Sequence, residues 1–276
     1  MKMVAKPIFY KLLYTLTVYL PLKIRDLCIH APSIFIKREY IIEIASKLLK
    51  EKRLRGRLPD GNVIFYPLDD YKLLFIISEI YYKKIYNSKQ IESFKFICDV
   101  GAHIGLFTLW VSRMAPNSKI TAIEPNSTNF KFLFENILIN RLEHRVQTIN
   151  VAAGDKKRKV DLWVGKLSRG DSSIVKWHNG GSTEHYLVNM CPLDDILSKD
   201  ENCDLIKIDA EGAEIEILRG LQKTLRKINR IVMELHTSII QVTDIYKVLD
   251  YHDFVIKRNQ KLYENCWLLE ANSAEQ

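Results

Sequence analysis

Short apolar runs alternate with amphipathic segments along the chain from residue 95 onward. The apolar runs predict strands, and the segments between them carry apolar residues at helical spacing. In 128–140, for example, Phe130, Leu133, Phe134 and Ile137 share one face. Such alternation is typical of βαβ units and predicts an α/β fold with a mostly parallel sheet. We expect strands at 95–100, 118–124, 145–154, 204–209 and 230–236, and helices at 104–115, 128–140, 215–228 and 243–252.

Two stretches depart from the alternation. Residues 156–192 contain short β-like runs around glycine-rich turns, which predict a hairpin insertion after the third strand. Residues 253–259 and 266–271 predict a closing antiparallel pair. Upstream, the pattern predicts an amphipathic helix at 38–54, a turn at 59–61, a strand at 63–66 and helical structure at 71–86.

The positive charge is concentrated near the beginning of the chain. The formal net charge is +8, but residues 1–58 hold 13 lysines and arginines against 4 acids, which leaves 28 basic and 29 acidic residues in the remainder. We therefore divide the chain into a basic helical extension, 1–58, and an α/β domain, 59–276. Because that domain is electrically neutral, nucleic acid is not an expected partner.

The apolar run at 8–20 admits two interpretations. It has 13 residues, includes Lys11 and is bracketed by prolines, whereas a membrane-spanning helix needs about 20 apolar residues. No small-residue cleavage site follows, as a secretory signal would require. The run is either a helix packed on the domain or a helix on a membrane surface. We expect a cytoplasmic protein, with membrane-surface contact through 8–58 as the alternative.

The cysteines are scattered along the chain. Their number is odd and they form no C-x-x-C pair, so they predict neither a disulfide framework nor a zinc site. Cys98 and Cys266 lie in apolar runs and are expected to be buried.

The segment ICDVGAHIGLF at 97–107 interrupts an apolar run with an acid and two glycines. It is the predicted turn from the first strand of the alternation into its helix, the place where open α/β sheets bind ligands. Gly101 would let the backbone approach a ligand, and Gly105 would let the helix start close to the sheet. An acid at position 99 suits a cationic ligand end such as an ammonium group.

Glu124 ends the next predicted strand, 23 residues after Gly101. A carboxylate there can accept hydrogen bonds from both hydroxyls of a ribose, in a dinucleotide or in S-adenosylmethionine. His103 occupies the position at which a dinucleotide site needs a glycine to admit the pyrophosphate. The pattern therefore favours S-adenosylmethionine, the alternative being a glycine-containing turn without a ligand.

Six segments together resemble the FkbM family of S-adenosylmethionine-dependent methyltransferases: DVGAHIGLFT, AIEPN, VAAGD, GDSS, PLDDIL and DLIKIDAEGAEIEILRG. The resemblance extends from about residue 60 to 270. It implies a Rossmann-like class I sheet of seven mostly parallel strands with a C-terminal antiparallel strand. It also implies methyl transfer from S-adenosylmethionine, usually to an oxygen of a sugar, a glycan or a small natural product.

The family pattern implies a set of cofactor-binding residues. Asn126 and Ser127 are instead also suited to cap the following helix. The small side chains of Ala152 and Ala153 would leave room for the adenine ring. The implied cofactor contacts are Asp99, Gly101, Ala102, His103, Gly105, Glu124, Pro125, Asn126, Ala152 and Ala153, with Asn129 as a further candidate.

Four strand-end residues are candidates for catalysis: Asp209, Glu211, Glu234 and His236. Methyl transfer to a hydroxyl needs alignment of donor and acceptor and a base within hydrogen-bond reach. Asp209 is the first choice for contact with the acceptor or with the amino end of the cofactor. Glu211 is either the base or a group at a helix N-terminus, and His236 is either a base or a residue that only ends its strand. Magnesium held by the three acids is an alternative, but no compact ligand spacing requires it.

The glycine- and serine-rich stretch 169–181 is either a loop over the active site or an exposed hairpin turn. Trp177 and His178 within it are candidates for contact with a sugar. The preferred function is O-methylation of a sugar hydroxyl, a glycan or glycolipid, or a small metabolite. The alternatives are an RNA methyltransferase, suggested by the basic extension, and a non-enzymatic adaptor that keeps the fold.

Overall fold

A seven-stranded sheet forms the centre of the protein, for which a computed structural model describes residues 53–67, 70, 73–165, 172–176, 184–197 and 202–274. Its strands are β3 Phe96–Val100, β4 Lys119–Ile123, β5 Val146–Ile149, β9 Leu205–Ile208, β10 Arg230–His236, β11 Phe254–Tyr263 and β12 Cys266–Ser273. Their order across the sheet is β11-β12-β10-β9-β3-β4-β5, and the pairs from β10 to β5 are all parallel. This is the predicted class I methyltransferase sheet.

The central strands are buried on both faces, as expected for a parallel sheet between helix layers. Every residue of β3, β9 and β10 is buried. One core lies on the side of Leu109 and Leu133, and a second lies on the side of Ile217 and Ile245. Cys98 and Cys266 are buried as predicted.

The last strand lies inside the sheet rather than at its edge. β12 pairs antiparallel with both β10 and β11, which confirms the predicted closing pair. Cys266 is opposite His236 in this register. The end of β10 and the start of β12 therefore lie side by side.

Most predicted helices are present, and one is much shorter than expected. The helices are α1 Leu73–Ile77, α2 Leu106–Met114, α3 Ser127–Ile139, α4 Glu214–Arg219 and α5 Val242–Tyr251. The helix predicted at 215–228 ends at Arg219, and its C-cap residue Gly220 packs directly on the backbone of Gly154. A Cβ atom on Gly220 would lie 2.0 Å from the Gly154 carbonyl oxygen.

The predicted third strand is split in two. After β5, the chain leaves the central sheet, and β6 Ala152–Gly154 pairs with β8 Glu184–Pro192. β8 also pairs antiparallel with β7 Arg158–Val164, which confirms the predicted hairpin insertion. The resulting three-stranded sheet packs on the end of α4, where Gly220 contacts Gly154.

A short hairpin of β1 Arg53–Arg57 and β2 Val63–Pro67 precedes the α/β alternation. Asn136 of α3 and its C-cap residue Asn140 hold the second strand of this hairpin. Their side chains exchange hydrogen bonds with the backbone of Phe65 and Val63 respectively. The predicted helix at 38–54 is wrong at its last two residues, which are in β1. Its remainder and the apolar run at 8–20 lie outside the described residues. The helical stretch predicted at 71–86 contains α1 and a π-helical turn at Ser78–Tyr82.

Within the described residues, the structure has no helix that combines the length and apolar character needed to span a membrane.

Candidate active site

A cavity of about 500 Å³ opens at the carboxyl ends of the parallel strands. Its lining includes the ends of β3, β4, β9 and β10, together with residues of β6, β7 and α1. This is the edge at which open α/β sheets bind ligands, and the volume is within the usual range for small-molecule sites.

The turn after β3 is shaped by three alternate left-handed positions at Gly101, His103 and Gly105, with φ of 76°, 54° and 93°. A Cβ atom on Gly101 would lie 1.8 Å from the carbonyl oxygen of Asp209. One on Gly105 would lie 2.8 Å from Leu133 Cδ1. Gly105 thus allows close helix packing as expected, whereas Gly101 makes room for the neighbouring strand end as well as facing the cavity.

Glu124 lies at the end of β4 and lines the cavity. Its carboxylate accepts hydrogen bonds from the backbone N–H groups of His103 and Asn126, at 2.9 Å each. Burial raises the pKa of Glu124, although the His103 charge and the two N–H groups oppose that rise. Each carboxylate oxygen can accept more than one hydrogen bond, so the fixed carboxylate retains acceptor capacity.

His103 is paired with Asp70, which the sequence did not single out. Their Nε2 and Oδ2 atoms are 3.0 Å apart. Burial acts to lower the pKa of His103, but Asp70 and Glu124 outweigh it and raise the pKa. His103 therefore donates its backbone N–H to Glu124, whereas its side chain pairs with Asp70.

Asn126 is the N-cap of α3. Its Oδ1 accepts hydrogen bonds from the backbone of Thr128 and Asn129, and its Nδ2 donates to Ser172 Oγ at 3.0 Å. Of the two roles considered for Asn126, the structure shows capping. Asn126 is absent from the cavity lining, which includes its neighbours Pro125 and Asn129.

Asp99 has a different environment from the expected one. Its side chain is fully buried, accepts a hydrogen bond from Thr108 Oγ1 at 2.6 Å and lies 3.3 Å from Lys207 Nζ. It does not line the cavity, so direct contact with a ligand ammonium does not fit this packing. The cationic partner of Asp99 is Lys207 of the protein itself.

Lys207 is a further site residue that the sequence did not single out. It lies in β9, where a lysine between apolar neighbours was the available signal. Its Nζ donates to the Gly101 carbonyl at 2.9 Å and lies 3.5 Å from Asp209. Burial acts to lower the pKa of Lys207, but the negative charges of Asp99, Asp209 and Glu234 outweigh this effect and raise it. The lysine is therefore charged. Lys207 therefore ties the turn after β3 to the end of β9.

The three-stranded sheet closes one side of the cavity. Ala152 and Ala153 of β6 and Leu162 and Trp163 of β7 line it. Ala152 and Ala153 are buried and small. This side of the cavity is therefore wide and apolar next to Glu124.

Asp209 and Glu211 follow β9 and both line the cavity. The Asp209 side chain is 28% exposed and faces Lys207. Glu211 and Gly212 have left-handed backbones, with φ of 51° and 104°. This turn brings Glu211 Oε2 to 3.3 Å from His236 Nε2.

His236 lies between two carboxylates. In addition to Glu211, its Nδ1 contacts Glu214 Oε1 at 2.8 Å, and Glu214 is fully buried at the start of α4. Burial acts to lower the pKa of His236, but Glu211 and Glu214 raise it to about 10. His236 therefore carries its proton near neutral pH and has no site to accept another.

Glu234 is a buried carboxyl in the cavity wall. Tyr86 and Tyr263 donate hydrogen bonds to it, and Cys266 Sγ lies 3.6 Å from Oε2. Burial raises its pKa, and the charge of Asp209 adds to that rise. Glu234 is thus a hydrogen-bonded carboxyl in the same wall as Asp209.

Among the residues that the structure describes, two groups of side chains are close enough to share a metal ion, and neither is the expected set. They are Asp209, Glu211 and His236, and Glu234, His236 and Cys266. His236 belongs to both, and its two ring nitrogens already contact Glu211 and Glu214. A metal would therefore have to displace these ion pairs.

Ser172 and Ser173 lie against the site. Ser173 is buried, pairs with Trp163 through two backbone hydrogen bonds, and donates from Oγ to the Glu211 carbonyl at 2.6 Å. Both serines line the cavity, so this part of 169–181 is not an exposed turn. Trp177 and His178 lie outside the described residues.

The FkbM methyltransferase domain model matches residues 99–256. In sequence, the chain is 26% identical over 188 residues to methyltransferase sdnD of Sordaria araneosa, covering 58% of this chain and 73% of that protein. It is 24% identical to hexuronic acid methyltransferase AglP of Haloferax volcanii, covering 62% of this chain and 74% of that protein. Among solved structures, M. capricolum TrmK with S-adenosyl-homocysteine aligns over 67% of this chain and 66% of that one, at 16% identity and a TM-score of 0.44.

Proposed function

Because the chain belongs to the FkbM methyltransferase family, we propose that it transfers a methyl group from S-adenosylmethionine to a hydroxyl of a sugar, a glycan or a small metabolite. The observation that carries this proposal is Glu124. It is a buried carboxylate, fixed by two backbone donors, at the end of the second strand of the alternation and in the cavity wall. That is where a ribose-binding acid is needed.

The lining residues suit the parts of such a cofactor. Glu124 would accept the ribose hydroxyls, and the small Ala152 and Ala153 would leave space for the adenine. The backbone near Gly101 and the carboxylate of Asp209 would meet the methionine end. When bound, the cofactor supplies a methyl group on a positively charged sulfur, and the carboxyl-rich wall around Asp209 and Glu234 is compatible with that charge.

The proton of the acceptor hydroxyl is assigned to Asp209. A base must be within hydrogen-bond reach of the acceptor, and Asp209 is partly exposed in the cavity. His236 is a poor candidate for this base near neutral pH, because Glu211 and Glu214 favour its protonated form. Its charge instead holds Glu211 in place. Glu234, which accepts hydrogen bonds from Tyr86 and Tyr263 in the cavity wall, is suited to orient the acceptor.

Isothermal titration calorimetry of the full chain tests the cofactor assignment. We expect micromolar binding of S-adenosylmethionine and none of NAD, because His103 takes the place of the glycine that a pyrophosphate needs. Glu124→Ala should weaken binding at least tenfold, since it removes the ribose acceptor. Glu143→Ala, outside the cavity lining, is the matched control and should bind normally.

The opposite result has a definite meaning. A folded protein that binds neither ligand would contradict the methyltransferase mechanism proposed above and would favour a non-enzymatic adaptor. Equal binding by the Glu124→Ala variant and the unsubstituted protein would show that the ribose is held elsewhere.

A further inference from the structure

The end of the cavity near β10 and β12 combines aromatic rings with carboxyl groups. Phe75 of α1 and Tyr263 of β11 contact each other edge to face, with ring centroids 5.4 Å apart, and both are about two-fifths exposed. Tyr86 and Tyr263 both donate to Glu234. Aromatic walls of this kind offer apolar surface to one face of a ring, and the carboxyl groups accept hydrogen bonds from its hydroxyls.

Glu79 adds a second buried carboxyl to this end. It lies in the π-helical turn Ser78–Tyr82, four residues after Phe75, and both side chains line the cavity. Local π-helical geometry is frequent at functional sites. The Lys83 Nζ atom lies 3.8 Å from Glu79, but its side chain is half-exposed and also lies over the Phe75 ring.

The charges around the cavity are strongly unbalanced. Among the described residues that line it, the acids are Glu79, Glu124, Asp209, Glu211, Glu234 and Glu264, and the basic residues are Lys207, His103 and His236. Lys207, His103 and His236 each contact an acid outside the lining, namely Asp99, Asp70 and Glu214. Lys207 also pairs with Asp209, and His236 with Glu211, so these cations are shared among more acids than they can balance. The described lining contains no arginine, so this part of the wall has no bidentate partner for a carboxylate or a phosphate.

We propose that the acceptor is a ring-shaped polyol without negative charge, either neutral or carrying an amine. This rests on the methyl-transfer function proposed above and narrows its substrate class. A carboxylate or phosphate beside Glu79 and Glu234 would be repelled and desolvated without a compensating cation. The same carboxyls would instead accept hydrogen bonds from hydroxyl groups and from an ammonium group. The wall therefore selects against acidic sugars, including hexuronic acids.

The test uses the full chain and sets of methyl pyranosides that differ only at carbon 6. Each gluco, galacto and manno set contains the parent sugar, the 6-amino-6-deoxy sugar and the 6-carboxylate. Transfer of a trideuteromethyl group from labelled S-adenosylmethionine is measured by mass spectrometry. We expect kcat/KM for neutral and amine members to exceed that of the matching carboxylate at least tenfold.

Two results would overturn the proposal while leaving the cofactor assignment intact. One is faster methylation of the carboxylate members. The other is no methylation of any member by a protein that binds S-adenosylmethionine in calorimetry. Failure to bind the cofactor is the separate result that contradicts the proposed function itself.

A charge-neutral variant tests the role of Glu79 directly. Glu79→Gln should lower the ratio of kcat/KM for neutral acceptors to kcat/KM for the matching carboxylates at least threefold, because it removes one repulsive charge. Glu92→Gln removes the same charge from an exposed position outside the cavity and should leave the ratio unchanged. An unchanged ratio in Glu79→Gln would contradict the assignment.

Discussion

His236 shows how the surroundings of one residue change its chemical role. The sequence offers it as a base at the end of a strand, but Glu211 and Glu214 hold it as a cation. Because its pKa is raised to about 10 from about 6.5, its charge stabilises the folded state fully below pH 6.5. That stabilisation is lost as the pH rises through 10.

Nitrogen-15 NMR of histidine side chains measures this directly. At pH 7.5 we expect His236 to show two protonated nitrogens and to titrate near pH 10. His252 serves as an internal comparison, because burial and Arg226 lower its pKa and should leave it neutral at the same pH. A neutral His236 at pH 7.5 would restore it as a candidate base.

At the level of elements, the cap of α3 links the helix to the insertion. Asn126 accepts from two backbone N–H groups of α3 and donates to Ser172. Asn126→Ala should lower the free energy of unfolding by about 1–2 kcal/mol, as expected for loss of an N-cap. Asn126→Asp keeps the acceptor and should recover most of that stability in chemical denaturation. A similar loss in both variants would show that the bond to Ser172, not the cap, is important.

The sequence predicted elements whose signal is local and missed features that depend on distant contacts. β10 and the hairpin insertion follow from short-range patterns and are confirmed. The sequence predicted neither the short α4 nor the split after β5. Gly220, after α4, contacts Gly154 of β6, and a contact between residues 66 positions apart is one that no local periodicity encodes. At the site, Glu124, Asp209 and His236 line the cavity, whereas Asp99, Gly105 and Asn126 do not. The sequence also did not indicate that Asp99 pairs with Lys207.

At the scale of the whole molecule, the three-stranded sheet meets the end of α4 at a point without free space. A methyl group on Gly220 would overlap the Gly154 carbonyl, so Gly220→Ala must separate α4 from β6. We expect a loss of about 1–3 kcal/mol in unfolding free energy, and weaker S-adenosylmethionine binding because Ala152 and Ala153 move with β6. In Gly61→Ala the new methyl group meets no atom within 4 Å, and although the left-handed backbone (φ 90°) makes the alanine strained, cofactor affinity should be unchanged. Normal affinity in Gly220→Ala would show that the insertion tolerates the shift.

The position of β12 between β10 and β11 has a consequence for biosynthesis. β12 is made after every other described strand, yet it occupies an interior place in the sheet. While the ribosome is still translating residues 266–273, β10 has no neighbour on one side, and the wall containing Tyr263 and Cys266 is incomplete. The nascent chain can therefore form the turn after β3 and position Glu124 before the cavity wall around Tyr263 and Cys266 is complete. Its exposed β10 edge during that interval is a natural target for chaperones.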